Sequence, residues 1–242
     1  MIEYTEDYLL DKRVKIFQPI NGYRASSDAV LLSAAAYNIR KGDTVLDVGS
    51  GTGAISLCLA DKYNTIVEKI IGIELQPELR ELANFSAEAN NFNKLTYLNG
   101  DIFNCKLEFC SFNHVFTNPP YFEANMPTSP RKGKATAHTF GELSLEAWIN
   151  ACIKMIKPQG YFYMINRSEA LANILKYIGN RLGEICIFPL YSKENQKAKR
   201  IIIRGKKDSK APLMIAPPLI IHNLAGKYTN EAENILRKGL SL

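Results

Sequence analysis

The sequence lacks the residue patterns that hold disulfide-rich domains and metal sites together. Its five cysteines are odd in number, scattered, and never arranged as a C-x-x-C pair. Its three histidines have no spacing typical of a metal site or of a nucleophilic triad. These absences argue against a disulfide framework and against a zinc site. We therefore expect reduced, structural thiols, no bound metal and a cytoplasmic protein.

Long apolar runs are also missing. No run approaches the roughly 20 residues that a membrane helix needs, and residues 1–7 lack the basic and apolar regions of a secretory signal. Apolar residues make up 46% and charged residues 22% of the 242-residue chain, which is ordinary for a soluble globular enzyme. The sequence predicts one α/β domain with small additions and no membrane partner, and it gives no prediction of oligomeric state.

What the chain does contain is an alternation of strand and helix patterns. The predicted strands are residues 44–48, 69–74, 95–98, 114–117, 161–165, 185–190 and 200–204. The predicted helices are residues 29–36, 54–62, 145–156, 168–182 and 229–238, with a further helix that opens at Pro77. This alternation predicts a doubly wound, mostly parallel, seven-stranded sheet of the Rossmann-like α/β class.

The last predicted strand has no helix in front of it, so we expect it to be an antiparallel strand at one edge of the sheet. We assign residues 1–40 to a short N-terminal extension that packs on the main domain, and residues 41–242 to that domain.

A glycine turn, Asp47-Val48-Gly49-Ser50-Gly51-Thr52-Gly53, follows the first strand of this sheet. Glycines there permit backbone dihedrals closed to other residues and let a ligand approach the main chain. Ligands of open α/β sheets bind beyond the carboxyl ends of the strands, where this turn lies. Two acids lie at or just after the carboxyl ends of the next two predicted strands. Glu74 could accept the hydroxyls of a ribose, and Asp101 could accept the amino group of an adenine.

Two cofactors fit this turn. Gly49, Gly51 and Ala54 match the loose fingerprint of a nicotinamide dinucleotide site, which permits alanine in the last place. Asp47 would repel a pyrophosphate, whereas it could meet the cationic end of S-adenosylmethionine. The sequence favours S-adenosylmethionine, mostly because of a second motif downstream.

That second motif is Asn118-Pro119-Pro120-Tyr121, which comes directly after a short apolar run. The side-chain oxygen of Asn118 and the carbonyl of Pro119 could accept the two N–H bonds of a planar amino group. Proline at 119 and 120 fixes φ and removes local donors, and Tyr121 or Phe122 could stack on an extruded base. The motif predicts methyl transfer to a conjugated nitrogen. The alternative is a structural Pro-Pro turn that ends a strand.

The net charge of +6 is concentrated near the C-terminus. Residues 193–210 hold eight bases and two acids, and the rest of the chain is neutral. Such a patch favours a polyanionic partner, although basic residues also protect sheet edges. We assign RNA binding to Lys197, Lys199 and Arg200, and contacts with phosphates near the target base to Arg131, Lys132 and Lys134.

Taken together, these elements resemble class I S-adenosylmethionine-dependent N-methyltransferases, and within them the bacterial tRNA(Val) adenine-N6 methyltransferase group. The resemblance extends to Gln18-Pro19-x-x-Gly22-Tyr23-Arg24, to residues 27–32 and to the loop from Pro130 to His138. It implies S-adenosylmethionine as cofactor and an adenine beside the anticodon of tRNA as substrate. It also implies that residues 23–28 form a lid over the cofactor, with Arg24 and Asp28 as candidate contacts.

Other substrates share this signature. It also occurs in methyltransferases that act on a glutamine of translation release factors, and a variant of it occurs in enzymes that methylate guanine N2 in ribosomal RNA. The glutamine enzymes usually carry a helical domain before the catalytic one, and only about forty residues precede the first strand here, fewer than a domain needs. A ribosomal RNA methyltransferase stays an alternative. So does a noncatalytic RNA-binding protein with a relic cofactor pocket, although the joint presence of the glycine turn, Glu74, Asp101 and Asn118 argues against it.

Overall fold

The structure is a computed structural model that describes residues 2–22, 24–120 and 144–242. It begins with an antiparallel hairpin of two strands, β1 (Tyr4–Leu9) and β2 (Val14–Pro19). Helix α1 (Ser27–Ala34) follows, and the Ser26 side chain caps it by accepting a hydrogen bond from the Asp28 amide. The sequence patterns do not predict this hairpin.

The main sheet is built from the rest of the chain. Its strands are β3 (Thr44–Val48), β4 (Lys69–Glu74), β5 (Leu95–Asn99), β6 (Phe112–Thr117), β7 (Ile156–Arg167), β8 (Leu182–Lys193), β9 (Ala198–Lys207), β10 (Met214–Ile215) and β11 (Leu219–His222). The remaining described helices are α2 (Ala54–Tyr63), α3 (Pro77–Ala89), α4 (Leu145–Met155), α5 (Leu171–Ile178) and α6 (Asn230–Lys238).

The strand order is β10-β8-β9-β7-β6-β3-β4-β5, with β11 also paired to β8. Strand β9 is antiparallel to β7 and β8, and the other pairs of this sheet are parallel. The predicted Rossmann-like α/β class is therefore confirmed, with two corrections. Short β10 and β11 raise the number of strands from seven to nine. Strand β9 lies between β7 and β8, not at the outer edge, because the β8–β9 hairpin folds back toward β7.

One predicted helix is shorter than expected. The pattern at 168–182 predicts a single helix, but α5 covers only its centre, with a turn of 3-10 helix on each side. Gly179, directly after α5, has a positive φ of 55°, which favours glycine.

Helices cover both faces of the sheet. The side formed by the carboxyl ends of its parallel strands, the carboxyl edge, is left for a site. Helices α1, α2, α3 and α6 share one core with the N-terminal hairpin, and α4 and α5 pack in the other. Successive side chains of β3 point to opposite faces, so Val45 belongs to the first core and Leu46 to the second. Strand β3 lies between β4 and β6, where the direction of strand addition reverses, and such a switch point is where open α/β sheets bind ligands. Within the described ranges, no helix has both the length and the apolar content to span a membrane.

Candidate active site

The predicted site segments meet at the carboxyl edge of the sheet, around β3 and its two neighbours. In the register, Val48 lies opposite Ile73 of β4 and Thr117 of β6. Neighbouring strands are about 4.8 Å apart, so the segments after these residues begin side by side. Those segments are the glycine turn after β3, the end of β4 at Glu74, and Asn118 after β6.

The glycine turn connects β3 to α2. Gly49, Gly51 and Gly53 all have positive φ, at 71°, 56° and 87°, a conformation that favours glycine. A Cβ on Gly53 would lie 2.1 Å from the Tyr97 hydroxyl oxygen, and a Cβ on Gly49 would lie 3.1 Å from the Trp148 ring. At these two glycines an aromatic ring, and not open space, occupies the place of a side chain.

Asp47 lies behind this turn and not on its open side. Its carboxylate is fully buried, and Oδ2 accepts a hydrogen bond from the Ser56 amide at 3.2 Å. Burial, and to a smaller extent the charge of Glu74, raises the pKa of Asp47 to about 7. Its Oδ1 has no hydrogen-bond partner among the described residues, and the contact of Asp47 with the cationic end of the cofactor stays a prediction. On this strand Asp47 points beneath α2, where it binds the first turn of that helix.

Glu74 lies beside the turn at the end of β4 and is only 7% exposed. Its Oε2 accepts from the Gly51 amide at 2.8 Å, and its Oε1 accepts from the Gln76 amide at 2.9 Å. Burial raises the pKa of Glu74. Each carboxylate oxygen accepts more than one hydrogen bond, so the side chain keeps capacity for another donor such as a ribose hydroxyl.

Asp101 is half-buried in the loop after β5. Its Oδ1 accepts from the Phe103 amide at 3.0 Å, which orders the loop locally. The Gly100 amide donates to the Glu74 carbonyl at 2.9 Å and holds the same loop against the end of β4. The two predicted cofactor acids, Glu74 and Asp101, are thus on adjoining segments.

Asn118 is the first residue after β6. It is half-buried, Pro119 is buried, and Pro120 is half-buried. The Thr117 hydroxyl in front of it donates to the Val48 carbonyl at 3.0 Å and accepts from Trp148 Nε1 at 2.9 Å. The Asn118 segment is therefore fixed beside the start of the glycine turn.

Part of the predicted site falls outside the described residues. This applies to Tyr121, Phe122, Arg131, Lys132 and Lys134. Their assignments to base stacking and to phosphate contacts stay predictions.

The two candidate lid residues, Arg24 and Asp28, are paired with other side chains. Arg24 donates to the Asp7 carboxylate at 2.5 Å and to the Thr5 hydroxyl at 2.9 Å. Asp28 accepts from Arg200 Nε at 3.2 Å. These bonds tie the segment before α1 to the hairpin on one side and to the start of β9 on the other. A direct contact of either residue with the cofactor stays a prediction.

The basic residues of the segment 193–210 do not form one patch, so that prediction is wrong. Strand β9 has ten residues, and its ends are therefore about 30 Å apart. The exposed Lys197 on the β8–β9 turn and the exposed Lys199 at the start of β9 lie at the same edge as Asn118. At the far end, Lys207 Nζ donates to backbone carbonyls that include Ile156, at 2.7 Å. In between, Arg204 lies 4.2 Å above the ring of Tyr37.

Comparison with known proteins bears on this geometry. A protein-family model described as a methyltransferase domain matches residues 39–206, well over half of the chain. The chain belongs to the class I S-adenosylmethionine-dependent methyltransferases. The resemblance found in the sequence is confirmed at this level.

Curated relatives of this methyltransferase share one name. The tRNA1(Val) (adenine(37)-N6)-methyltransferase of Porphyromonas gingivalis is 29% identical over 236 residues, which are 91% of this chain and 89% of the relative. Proteins of the same name from Shewanella baltica and Shewanella halifaxensis are 28% and 30% identical over 226 and 193 residues. The matched regions cover 89% and 76% of this chain, and 91% and 75% of those relatives.

Solved structures share the fold. A protein named as a predicted O-methyltransferase from Agrobacterium tumefaciens matches with a TM-score of 0.72 at 23% identity, over 88% of this chain and 97% of that one. The 16S rRNA N2 G1207 methyltransferase of T. thermophilus, solved with S-adenosylmethionine and guanosine, matches with a TM-score of 0.56 at 17% identity. That match covers 85% of this chain and 50% of the other.

The residues of this methyltransferase fit S-adenosylmethionine better than a dinucleotide. A pyrophosphate at a helix start needs free N–H groups and no nearby negative charge. In this turn the Gly51 amide already donates to Glu74, and Asp47 lies behind it. We expect Glu74 and Asp101 to hold the ribose and adenine of the cofactor. In the described part of the chain, no histidines, cysteines and acids are grouped in threes that could hold a metal ion.

Sequence reasoning missed two residues that shape this site, Tyr97 and Thr117. The Tyr97 hydroxyl, beneath the turn, donates to the Gly53 carbonyl at 3.2 Å and shares a hydrogen bond with Ser56 Oγ at 3.0 Å. Thr117 links β6 to β3 and α4. The one signal for Thr117 is its place directly before Asn118, and no local pattern indicates Tyr97.

Proposed function

We propose that this methyltransferase transfers a methyl group from S-adenosylmethionine to the exocyclic N6 of an adenine in tRNA, beside the anticodon. The observation that carries the proposal is the position of Asn118-Pro119-Pro120, directly after β6 and in register with the start of the glycine turn. The curated relatives named tRNA1(Val) (adenine(37)-N6)-methyltransferases support the same substrate.

The chemistry of an exocyclic amine explains the residues that the motif uses. The cofactor, when bound, supplies a methyl group activated on a sulfonium sulfur. Adenine N6 is a weak nucleophile because its lone pair is delocalised into the ring. The Asn118 side-chain oxygen and the Pro119 carbonyl would each accept one N–H bond, which favours a pyramidal nitrogen and frees the lone pair.

Rigidity of the two acceptors supports this role. Pro119 and Pro120 have fixed φ angles and no N–H group, so the Pro119 carbonyl keeps its direction and has no local donor to bind. Thr117 fixes the strand end in front of them through two hydrogen bonds. Positioning and fixed dipoles then supply the rate, and no strong general base is needed.

An RNA-binding surface at the same edge of the sheet supports a nucleic acid substrate. Lys197 on the β8–β9 turn and Lys199 at the start of β9 are exposed and could bind backbone phosphates while one base reaches Asn118. Arg200, which we also predicted to bind RNA, pairs with Asp28 and is less available for phosphates. We therefore assign the main phosphate contacts of this edge to the two lysines.

We infer that residues 1–40 act as a lid on the site, with residues 41–242 as the catalytic domain. The amides of Lys15 and Phe17 donate to Asn90 Oδ1 and Ser86 Oγ of the α3 region, at 2.8 and 2.9 Å. Strand β2 therefore runs antiparallel to α3, toward the start of that helix at the carboxyl edge of the sheet. The start of α1 lies at the same edge, because Asp28 accepts a hydrogen bond from Arg200 near the start of β9.

Product identification tests the proposal. Bulk tRNA, ribosomal RNA and a release-factor protein are incubated in separate reactions with the protein and methyl-labelled S-adenosylmethionine, and the RNA is digested to nucleosides. We expect the label in N6-methyladenosine of the tRNA. Label in N2-methylguanosine would favour the guanine alternative, and label in protein would favour the glutamine alternative. Cofactor binding without any methyl transfer would favour a noncatalytic RNA-binding protein. A cytoplasmic place of action is part of the same proposal, because the substrate is tRNA.

A further inference from the structure

We propose that Trp148 is a positioning residue that fixes Asn118 relative to the cofactor turn, so that cofactor binding and the alignment of Asn118 are coupled. Trp148 lies on the first turns of α4, far from the glycine turn in sequence, and is 6% exposed. The catalytic role of Asn118 rests on the proposed function, whereas the contacts of Trp148 with the glycine turn do not.

The first contact of Trp148 is with the strand that carries Asn118. Its indole Nε1 donates to the Thr117 hydroxyl at 2.9 Å. The same hydroxyl donates to the Val48 carbonyl at 3.0 Å. One buried oxygen therefore joins three elements, α4, β6 and β3, directly before Asn118 and directly before Gly49.

The second contact is with the glycine turn itself. The far edge of the indole ring, atoms Cζ2 and Cη2, lies 3.1 and 3.2 Å from the place where Gly49 would carry a Cβ. The backbone of Gly49 has a positive φ of 71°, and the ring fills the space where its side chain would be. Cofactor binding that displaces the turn would therefore change the surroundings of Trp148.

The third contact reaches the loop that carries Asp101. The Phe103 ring packs edge-on against Trp148, with centroids 6.1 Å apart and an interplanar angle of 68°. The Phe103 amide donates to Asp101 Oδ1 at 3.0 Å. One side chain thus touches the segments of the cofactor turn, of the predicted adenine contact and of the catalytic asparagine.

A residue that only fills the core would not need this geometry. A phenylalanine at 148 would occupy much of the same space, but it has no N–H to hold the Thr117 hydroxyl. Displacements of about 1 Å at a reacting group are enough to reduce rates by about a hundredfold. The hydrogen bond, more than the ring volume, is therefore the part of Trp148 that sets the position of Asn118.

The chain contains one tryptophan, which makes the coupling directly measurable. A proton–nitrogen NMR spectrum of the whole protein shows a single indole N–H signal, and that signal is Trp148. S-adenosylhomocysteine serves as the probe, with its binding followed by calorimetry. We expect saturation with this probe to shift the indole signal, because the ring contacts Gly49.

Substitutions at Thr117 and Trp148 separate the hydrogen bonds from the packing. Thr117→Val keeps the shape and the preference for a strand but removes both the acceptor for Trp148 and the donor to Val48, and Thr117→Ser keeps the hydroxyl. Of these two bonds, Trp148→Phe removes only the one from Trp148, and we expect it to lower kcat as Thr117→Val does. We expect Thr117→Val to move the indole signal to that of an unbonded N–H and to lower kcat for tRNA by at least about tenfold, with the KM for S-adenosylmethionine within about threefold. Thr117→Ser should restore both the signal and kcat.

Two results would overturn the proposal. One is an indole signal that does not move when calorimetry shows the probe to be bound. The other is equal kcat in Thr117→Val, Thr117→Ser and the wild type, measured where all three are fully folded. If the wild type transfers no methyl group to tRNA, the proposed substrate fails, and the NMR titration alone then decides whether Trp148 is coupled to the cofactor turn.

Discussion

At the scale of single residues, Asp47 and Tyr97 both bind Ser56 beneath the glycine turn. The Ser56 amide donates to Asp47, and its hydroxyl shares a hydrogen bond with Tyr97. The Tyr97 hydroxyl in turn donates to the Gly53 carbonyl. Buried polar networks of this kind rigidify the groups that they connect. The shape of the turn is therefore set from behind, by side chains that do not face a ligand.

The pH dependence of stability tests the position of Asp47. Burial raises its pKa to about 7 in the folded protein, against about 3.9 in an unfolded chain. The folded state thus binds a proton that the unfolded state releases, and the resulting stability is complete at low pH and lost as the pH rises through about 7. As the pH rises from about 4 to about 7.5, we expect the free energy of unfolding of the wild type to fall by on the order of a few kcal/mol relative to that of Asp47→Asn.

Urea unfolding of both proteins at several pH values measures this difference. Asparagine does not titrate, so any cost of the substitution itself is the same at each pH, and titrating groups other than Glu74, whose charge acts on Asp47, cancel in the comparison. Parallel curves for the two proteins would mean that Asp47 is not held in this buried place.

A pair of glycines tests the packing of Tyr97 beneath the turn. Gly53 and Gly42 have nearly equal positive φ, 87° and 83°. A Cβ on Gly53 would meet Tyr97, whereas a Cβ on Gly42 would have no atom of the described residues within 4 Å. Each change to alanine costs about 1–2 kcal/mol for the left-handed backbone. We expect Gly53→Ala to lower the free energy of unfolding by at least about 1 kcal/mol more than Gly42→Ala does, because overpacking adds its own penalty.

The free energy of unfolding of the two variants gives this result directly. Adding Tyr97→Phe to Gly53→Ala should reduce the difference, because it removes the closest atom. Equal costs for the two glycines would show that the space beside Gly53 is open.

At the scale of elements, the β8–β9 hairpin places its basic residues at two opposite edges of the sheet. Lys197 and Lys199 lie at the edge of Asn118, and Lys206 and Lys207 lie toward the opposite edge. Two lysines outside the hairpin, Lys41 before β3 and Lys210 after β9, are exposed near that opposite edge. The two exposed pairs carry the same charge, and they differ in which edge they occupy. They are a matched set for locating the RNA surface.

Charge reversal in these pairs should give different effects on tRNA binding. We expect Lys197→Glu with Lys199→Glu to weaken binding and to lower the slope of log affinity against log salt by about one to two, because each phosphate contact releases about one counterion. Lys41→Glu with Lys210→Glu should leave the slope near the wild-type value. Binding is measured by titration of tRNA at several salt concentrations. An equal effect of both pairs would mean that only net charge matters.

The elements also show what the sequence could and could not predict. Strands β3 and β4 match their predicted bounds because both are short, buried and apolar, and Pro77 correctly predicts the start of α3. The hairpin β1–β2 is missed because the amides of Lys15 and Phe17 bind side chains of the α3 region, and sequence patterns do not show such contacts. The basic residues of 193–210 lie at two edges of the sheet because β9 is long enough to separate them. Asp47 points beneath α2 because of the face of β3 on which it lies.

At the scale of the whole molecule, both layers of helices contribute to one edge of the sheet. Helix α2 begins at the glycine turn on one face, and α4 sends Trp148 to the same turn from the other. Strand β2 of the N-terminal hairpin packs on α3 and runs toward this edge. The β8–β9 turn lies at the same edge, beyond β7. Cofactor, target base and RNA backbone would therefore meet on one side of the protein.

The central claim is that Asn118 holds the target amino group, and substitution of this residue tests it most directly. The rate of methyl transfer to tRNA is measured for Asn118→Ala, with calorimetric binding of S-adenosylhomocysteine in parallel and with Asn230→Ala, an exposed asparagine at the start of α6, as the control. We predict a fall in kcat of at least about a hundredfold for Asn118→Ala, as for the loss of other fixed polar groups at reacting atoms, with cofactor affinity reduced by less than about tenfold. The control should transfer at the wild-type rate. Transfer by Asn118→Ala near the wild-type rate, or a loss of cofactor affinity large enough to explain the whole fall, would contradict the claim.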